Sequence, residues 1–260
     1  MKMTKGDDVM STLIHAGSKV GKSTLSSTAP FPHCVFDAEG GWKFIQTKGF
    51  NSAIPLRKIR WNPLTELPPR HDGTWDVAVV TVRDWATLDQ GYRLLTQAEH
   101  DFRSITLDSI TEIQRRLKTN INAEGILKGY DQWGTLLVRM DGLIRGFRDL
   151  TLLPGPVQCV TFIAETRMEN GKWRPYMQGQ ISVSLPYWVD ICGYMYTSHE
   201  ADAAGQLTVP VKRLLISDQD AYEAGERVQG RLGGDVRNPN IEDMMNTVFG
   251  TKTATQEVTA

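Results

Sequence analysis

A short apolar run, Ser11 to His15, leads directly into Ala16-Gly17-Ser18-Lys19-Val20-Gly21-Lys22-Ser23-Thr24. This is a strand feeding a loop of the pattern [Ala/Gly]-x4-Gly-Lys-[Ser/Thr], and the chemistry such residues perform is the holding of a polyphosphate. Gly17 and Gly21 let the backbone turn tightly enough for successive N–H groups to face phosphate oxygens. Lys22 brings a point charge to the β- and γ-phosphates, and the Ser23 hydroxyl can ligate Mg²⁺. A helix starting near Ser23 aims its positive end at the same anion. Gly17, Ser18, Lys19, Val20, Gly21, Lys22, Ser23 and Thr24 are therefore the candidate nucleotide-binding set. The first position is Ala16, a common variant of the pattern. The competing reading, a chance Gly-Lys-Ser turn, is disfavoured by the strand in front of it.

Phosphoryl chemistry at such a loop needs an acidic group for the metal at the end of a neighbouring buried strand. Asp108 closes the apolar run Ser104-Ile105-Thr106-Leu107 and meets that need; capping of the following helix is its alternative role. Hydrolysis also needs a group that orients or deprotonates water. The residue after Asp108 is Ser109, so the base must come from elsewhere. Glu39 lies just past another strand end beside Gly40 and Gly41; the alternative there is an exposed carboxylate in a turn.

The elements that must position these groups follow from periodicity. Strands are expected at Cys34–Phe36, Val77–Val80, Ser104–Ser109 and Val157–Ala164. Helices are expected from Ser23 to Ser27, Trp85 to Glu99 (capped near Asp84 and Thr87), Ile110 to Ile121 and Gln132 to Leu150. Residues 49–76 are rich in proline and read as an irregular excursion. From Met168 the pattern changes to hairpins, the first turning at Asn170-Gly171 and the second joining Val189–Thr197 to Gln206–Ile216. Alternating strands and helices followed by antiparallel pairs predict an α/β fold, a mainly parallel sheet with antiparallel strands in the last third. One domain is expected over 11–248, between a flexible N-terminus (1–10) and a disordered tail (249–260). Trp133, Trp188 and Tyr130 read as packing residues.

Net charge is −1 over 260 residues, so no overall basic field advertises nucleic acid. Cys34, Cys159 and Cys192 sit in apolar runs without metal-ligand spacing, which suits a reducing cytoplasm. No apolar stretch reaches the length of a membrane span, so no membrane partner is expected.

Together, Phe36-Asp37-Ala38-Glu39-Gly40 and Leu107-Asp108-Ser109 resemble two strand-end motifs of the RecA recombinase superfamily, in the same order after the phosphate loop. More narrowly, Lys19, the Glu39-Gly40-Gly41-Trp42 stretch and Val82 to Trp85 make the chain similar to small phage-encoded RecA-type ATP-binding proteins. Those include single-strand annealing recombinases that work with a single-stranded-DNA-binding protein. The resemblance spans about 11–245. It implies a RecA-like P-loop NTPase core, ATP and Mg²⁺ as cofactors, Glu39 as the water-activating residue, and assembly into a ring or filament. The host cytoplasm is the implied location.

Two departures stand out. Glu165 occupies the place of a polar γ-phosphate sensor, for which Thr166 or Arg167 could substitute. The segment that would reach a neighbour's ATP site resembles Glu226 to Arg231, making Arg227 and Arg231 candidates for charge stabilisation in trans, with solvated loop arginines as the alternative. Cations interleaved with aromatics suit single-stranded DNA. Arg167, Lys172, Trp173 and Arg174 are the preferred patch, because RecA-type DNA loops emerge near there; Arg57, Lys58, Arg60 and Trp61 form the second.

The resulting expectation is a Mg²⁺-dependent ATPase acting on single-stranded DNA in phage recombination or annealing. An ATP-gated loader of phage replication and a small-molecule kinase are the alternatives.

Overall fold

The computed structural model describes residues 8–123, 130–201 and 208–250. Seven strands run parallel at its centre: β1 (Met10–Ala16), β2 (His33–Asp37), β3 (Lys58–Arg60), β4 (Val77–Thr81), β5 (Ser104–Asp108), β6 (Cys159–Glu169) and β8 (Ile191–Ala201). β7 (Lys172–Pro175), β9 (Thr208–Leu215), β10 (Gly225–Glu226) and β11 (Asp235–Arg237) are antiparallel additions. The sheet order is β11-β9-β8-β1-β6-β5-β2-β4-β3, with β10 on β8 and β7 on β6. This is the expected α/β arrangement, a mainly parallel sheet with antiparallel strands in its last third, and β6 lies between the loop strand β1 and the acidic strand β5.

The central strands are buried on both faces, so their sequences are continuous apolar runs rather than alternations. One face packs on α2 (Trp85–Gln97), α3 (Ile110–Ala123) and α4 (Tyr130–Asp149). Phe36, Leu88, Leu107, Ile113, Phe147 and Phe162 fill that side. The other face packs on α1 (Lys22–Ser26) and α6 (Ile241–Phe249) through Ile14, Leu25, Met195, Leu214 and Met244. A four-residue turn of helix, α5 (Ile181–Ser184), sits between β7 and β8. Each of these large apolar side chains contributes about 1.5–3 kcal/mol by leaving water.

Several boundaries differ from expectation. Strand β1 begins at Met10, which is buried, one residue earlier than the expected start at 11; residues 1–7 and 251–260 lie outside the described residues. The excursion at 49–76 contains β3, an edge strand whose three residues pair with β4. Strand β6 continues through Glu169 to the hairpin turn, where Asn170 and Gly171 take φ of 50° and 80°. Helix α6 was not anticipated; the Asn240 side chain caps it by accepting from the Asp243 N–H. Asp84 caps α2 as expected, accepting the Thr87 N–H at 2.8 Å. Trp188 is buried, whereas Trp133 is exposed beneath the Lys118 ammonium; nothing is described for the Tyr130 side chain.

Candidate active site

Strand β1 ends at Ala16 and the chain turns through Gly17–Gly21 into α1. Gly21 is the position that demands glycine: its φ is 116°, and a Cβ there would lie 2.6 Å from the Phe50 ring. Gly17 differs from expectation, with an ordinary φ and open space around it; Lys19, at φ 61°, takes the other left-handed turn. The Lys22 ammonium bridges the loop, donating to the Ala16 carbonyl at 3.2 Å and the Gly17 carbonyl at 2.9 Å. Ser18 and Lys19 are exposed on the loop crest, Val20 packs downward, and Thr24 lies in the partly exposed first turn of α1. With only five residues in α1, the anion field rests on loop N–H groups and Lys22 more than on a helix dipole.

β2 and β5 are adjacent and in register, placing Asp37 beside Asp108. Asp108 is buried, and its Oδ2 accepts from the Ser23 hydroxyl at 2.6 Å and the Trp42 indole N–H at 2.9 Å. Burial pushes its pKa up to about 6. The Ser23 hydrogen bond opposes that rise, the Glu39 and Asp37 charges add to it, and the Trp42 hydrogen bond opposes it. Burial lowers the pKa of Lys22, against the opposing pull of Glu39, Asp108 and Glu165. The alternative role for Asp108, capping α3, belongs to Ser109 instead. Its hydroxyl accepts the Glu112 N–H at 3.2 Å, and its carbonyl accepts from Ile113. The Asp108–Ser109 peptide is cis.

Glu39 stands in a turn closed by Asp37, whose carboxylate accepts the N–H groups of Gly40 (2.7 Å), Gly41 (3.3 Å) and Trp42 (3.1 Å). The Ser109 hydroxyl donates to Glu39 Oε1 at 2.5 Å. Arg116 on α3 braces the same turn, donating to the Ala38 carbonyl at 2.8 Å. Lys22, Ser23, Asp108, Ser109 and Glu39 thus converge on one edge of the sheet. Ser23 and Asp108 offer hard oxygen donors in contact. Such a pair fits Mg²⁺, which takes one or two protein oxygens and completes its shell with phosphates and water. Among the described residues no group of three or more His, Cys, Asp or Glu side chains could hold a metal by itself.

Beside this edge, Glu165 is engaged by Arg115 through two hydrogen bonds of 2.6 and 2.7 Å. Thr166 lies 3.1 Å from Nδ1 of the buried His15, and the other His15 nitrogen, Nε2, lies 2.6 Å from the Glu223 carbonyl. Burial lowers the His15 pKa to about 4, with a smaller raising effect from the Glu223 carbonyl. The imidazole is then neutral, and its Nε2–H donates to that carbonyl. The Glu223 carboxylate faces Lys172 at 3.8 Å and Arg174 at 3.6 Å. Arg167 lies over the Tyr176 ring, and Trp173 exchanges backbone hydrogen bonds with Ala221 and Glu223. The hairpin patch is therefore gathered on β6–β7 and tied to the root of the phosphate loop. The second patch is dispersed: Arg57 pairs with Asp76, Lys58 donates to the Trp42 and Ile45 carbonyls, and Trp61 is buried.

Arg227 and Arg231 lie at the far edge of the sheet. The Arg227 N–H donates to the Asp190 carbonyl and its guanidinium to the Tyr187 carbonyl, while Arg231 donates to the Val248 carbonyl. Asp190 in turn accepts from Ser11, near the start of β1.

Sequence reading missed Asp37, Trp42, Arg116 and His15. Asp37 alone carried a local signal, an Asp three residues before a glycine that favours an Asx-type turn. The others act through contacts 66 to 208 residues apart in the chain, which no local pattern displays. No helix among the described residues is long and apolar enough to cross a membrane.

No curated protein matches the chain in sequence. Among solved structures it resembles a prototypical ATPase from the type III secretion system of pathogenic bacteria, at 16% identity and a TM-score of 0.44. The match covers 72% of this chain and 52% of the other, so the chain spans about half the length of that protein. The sequence profile of the AAA domain family matches residues 9–228, from β1 through β10, and the chain belongs to that family as a P-loop ATPase domain.

Proposed function

We propose that this domain is a Mg²⁺-dependent ATPase of RecA type that acts on single-stranded DNA in phage recombination or single-strand annealing. In this reading it works as a homo-oligomer alongside a single-stranded-DNA-binding protein. The observation that carries the hydrolytic part is Glu39 held by Ser109 at the strand end next to Asp108. Lys22 leaves the Ala16 and Gly17 carbonyls to meet the β- and γ-phosphates, and the loop N–H groups turn inward on the same oxygens. Ser23 and Asp108 would hold Mg²⁺, which when bound would neutralise developing charge on the phosphates. Glu39 takes the proton of the attacking water, and Ser109 keeps its carboxylate on the γ-phosphate side.

The nucleic-acid part is supported by the hairpin. Arg167, Lys172, Trp173 and Arg174 supply cations and an aromatic on one element, and Glu223 links that element to His15 beneath the loop. Thr166, between His15 and the Arg174 carbonyl, suits the sensing role better than Glu165, which Arg115 engages.

One observation favours a second reading, an ATP-gated loader with little hydrolysis: Lys172 and Arg174 already face Glu223, which reduces the positive charge offered to DNA. Turnover measured with and without single-stranded DNA, alongside sizing of the complex, separates the two. DNA-stimulated turnover with an ATP-dependent assembly supports the recombinase-type reading, and neither effect overturns it in favour of the loader.

A further inference from the structure

Trp42 is fully buried, yet three of its polar groups are engaged at the heart of the site. Its indole N–H donates to Asp108 Oδ2 at 2.9 Å, its backbone N–H to Asp37 Oδ2 at 3.1 Å, and its carbonyl accepts from the Lys58 ammonium at 2.9 Å. An apolar wall of Val35, Leu56 and Val77, with the His33 ring edge-on at 5.6 Å, fixes the ring. A tryptophan buried only for packing needs some partner for its N–H. This one spends that bond on the carboxylate assigned to the metal, from the turn that carries Glu39.

We infer that Trp42 is a positioning residue for the Asp108 carboxylate. Trp42 and Ser23 both donate to Oδ2. Two donors on one oxygen fix the plane of the carboxylate and leave Oδ1 without a hydrogen bond among the described residues, where it would be available to the metal's shell. The backbone of the same residue lies in the Asp37 turn, so Asp108 and Glu39 are held in one rigid unit. A metal centre tuned by an outer hydrogen bond is a general arrangement, and loss of such a partner costs about 10–100-fold in metal affinity. The inference rests on the reading that Ser23 and Asp108 hold the metal.

The test is Mn²⁺ affinity, by electron paramagnetic resonance with ADP present, in Trp42→Phe and in a protein carrying the benzothiophene isostere of tryptophan at position 42. The isostere keeps the bicyclic ring shape and has a non-donating sulfur in place of the N–H, which guards against a folding defect in the phenylalanine variant. Expected is Mn²⁺ binding about ten-fold weaker, with ADP affinity in EDTA unchanged and the isostere's melting temperature close to wild type. Mn²⁺ affinity within two-fold of wild type in the isostere protein overturns the role of Trp42. Asp108→Asn separates the two levels: if it also leaves Mn²⁺ affinity unchanged, the metal assignment itself falls.

Discussion

Replacing Asp37 with asparagine tests whether the turn that carries Glu39 is held from beneath. The wild-type carboxylate is buried and accepts three N–H groups, at 2.7, 3.3 and 3.1 Å. Hydrogen bonds to a charged acceptor contribute about 1.5–3 kcal/mol each, and neutral ones about half of that. Asparagine keeps one oxygen, able to serve Gly40 and Gly41 at neutral strength. Its NH₂ group replaces Oδ2 and sets a donor against the Trp42 N–H. The summed loss is about 3–6 kcal/mol, which lowers the melting temperature of a domain this size by about 6–24 °C. The phosphate loop is untouched, so ATP affinity should stay within two-fold. Glu39, freed by an ångström or so, should lose about 100-fold in turnover. Differential scanning calorimetry, nucleotide titration and a phosphate-release assay read the three quantities. A melting temperature within 1 °C of wild type together with unchanged turnover would refute the argument.

Lys22→Ala should abolish ATP binding measured by fluorescent-nucleotide titration. Glu39→Gln should bind ATP normally and release phosphate at least about 100-fold more slowly, the usual scale for loss of a general base; wild-type turnover in that variant removes Glu39 from the chemistry. Asp108 carries a pH signature in metal-free buffer. Its folded pKa of about 6 lies above the ordinary 3.8, so its contribution is fully present below about pH 4 and is lost as pH rises through about 6. Asp108→Asn should flatten that fall and be up to about 3 kcal/mol more stable than wild type at pH 8, read by urea unfolding across pH 4–8. Arg227→Ala with Arg231→Ala should leave ATP affinity intact and remove any rise of specific turnover with protein concentration.

The legibility of the molecule follows the range of its interactions. The loop, the strand ends at Asp108 and Glu39, the Asn170-Gly171 turn and the Asp84 cap are set by residues within a few positions of each other, and all were readable. Continuous apolar runs announced a doubly covered parallel sheet, because only burial on both faces removes the polar alternation. The three-residue β3 was hidden among prolines, since edge pairing with β4 supplies its order rather than propensity. Trp42 and Arg116 were invisible as site residues for the same reason. A buried tryptophan beside two glycines looks like core, and only the fold brings its N–H to Asp108, 66 positions away. The basic-aromatic stretch at 57–61 shows the converse failure: composition matched nucleic-acid binding, while Asp76 and two backbone carbonyls had prior claim on its charges.

The position of Arg227 constrains how any assembly must be built. Its N–H bonds to Asp190, which is itself bonded to Ser11, whereas the phosphate loop leaves β1 at Ala16. Five residues of strand separate those levels, about 17 Å at the rise of an extended chain. An arginine side chain extends less than half of that, and the Arg227 guanidinium points to Tyr187. Neither Arg227 nor Arg231 can therefore serve the nucleotide bound by its own chain. For either to meet a γ-phosphate, a second copy must bring its far sheet edge to this copy's loop edge. Opposite edges meet in a head-to-tail interface, which closes into a ring or runs on as a filament, or in a two-fold dimer whose subunits lie antiparallel side by side. A two-fold dimer that pairs loop edge with loop edge would leave both arginines about a strand's length from every phosphate. Direct contact of these arginines with a phosphate therefore requires assembly, so turnover that rests on such contact must rise with it.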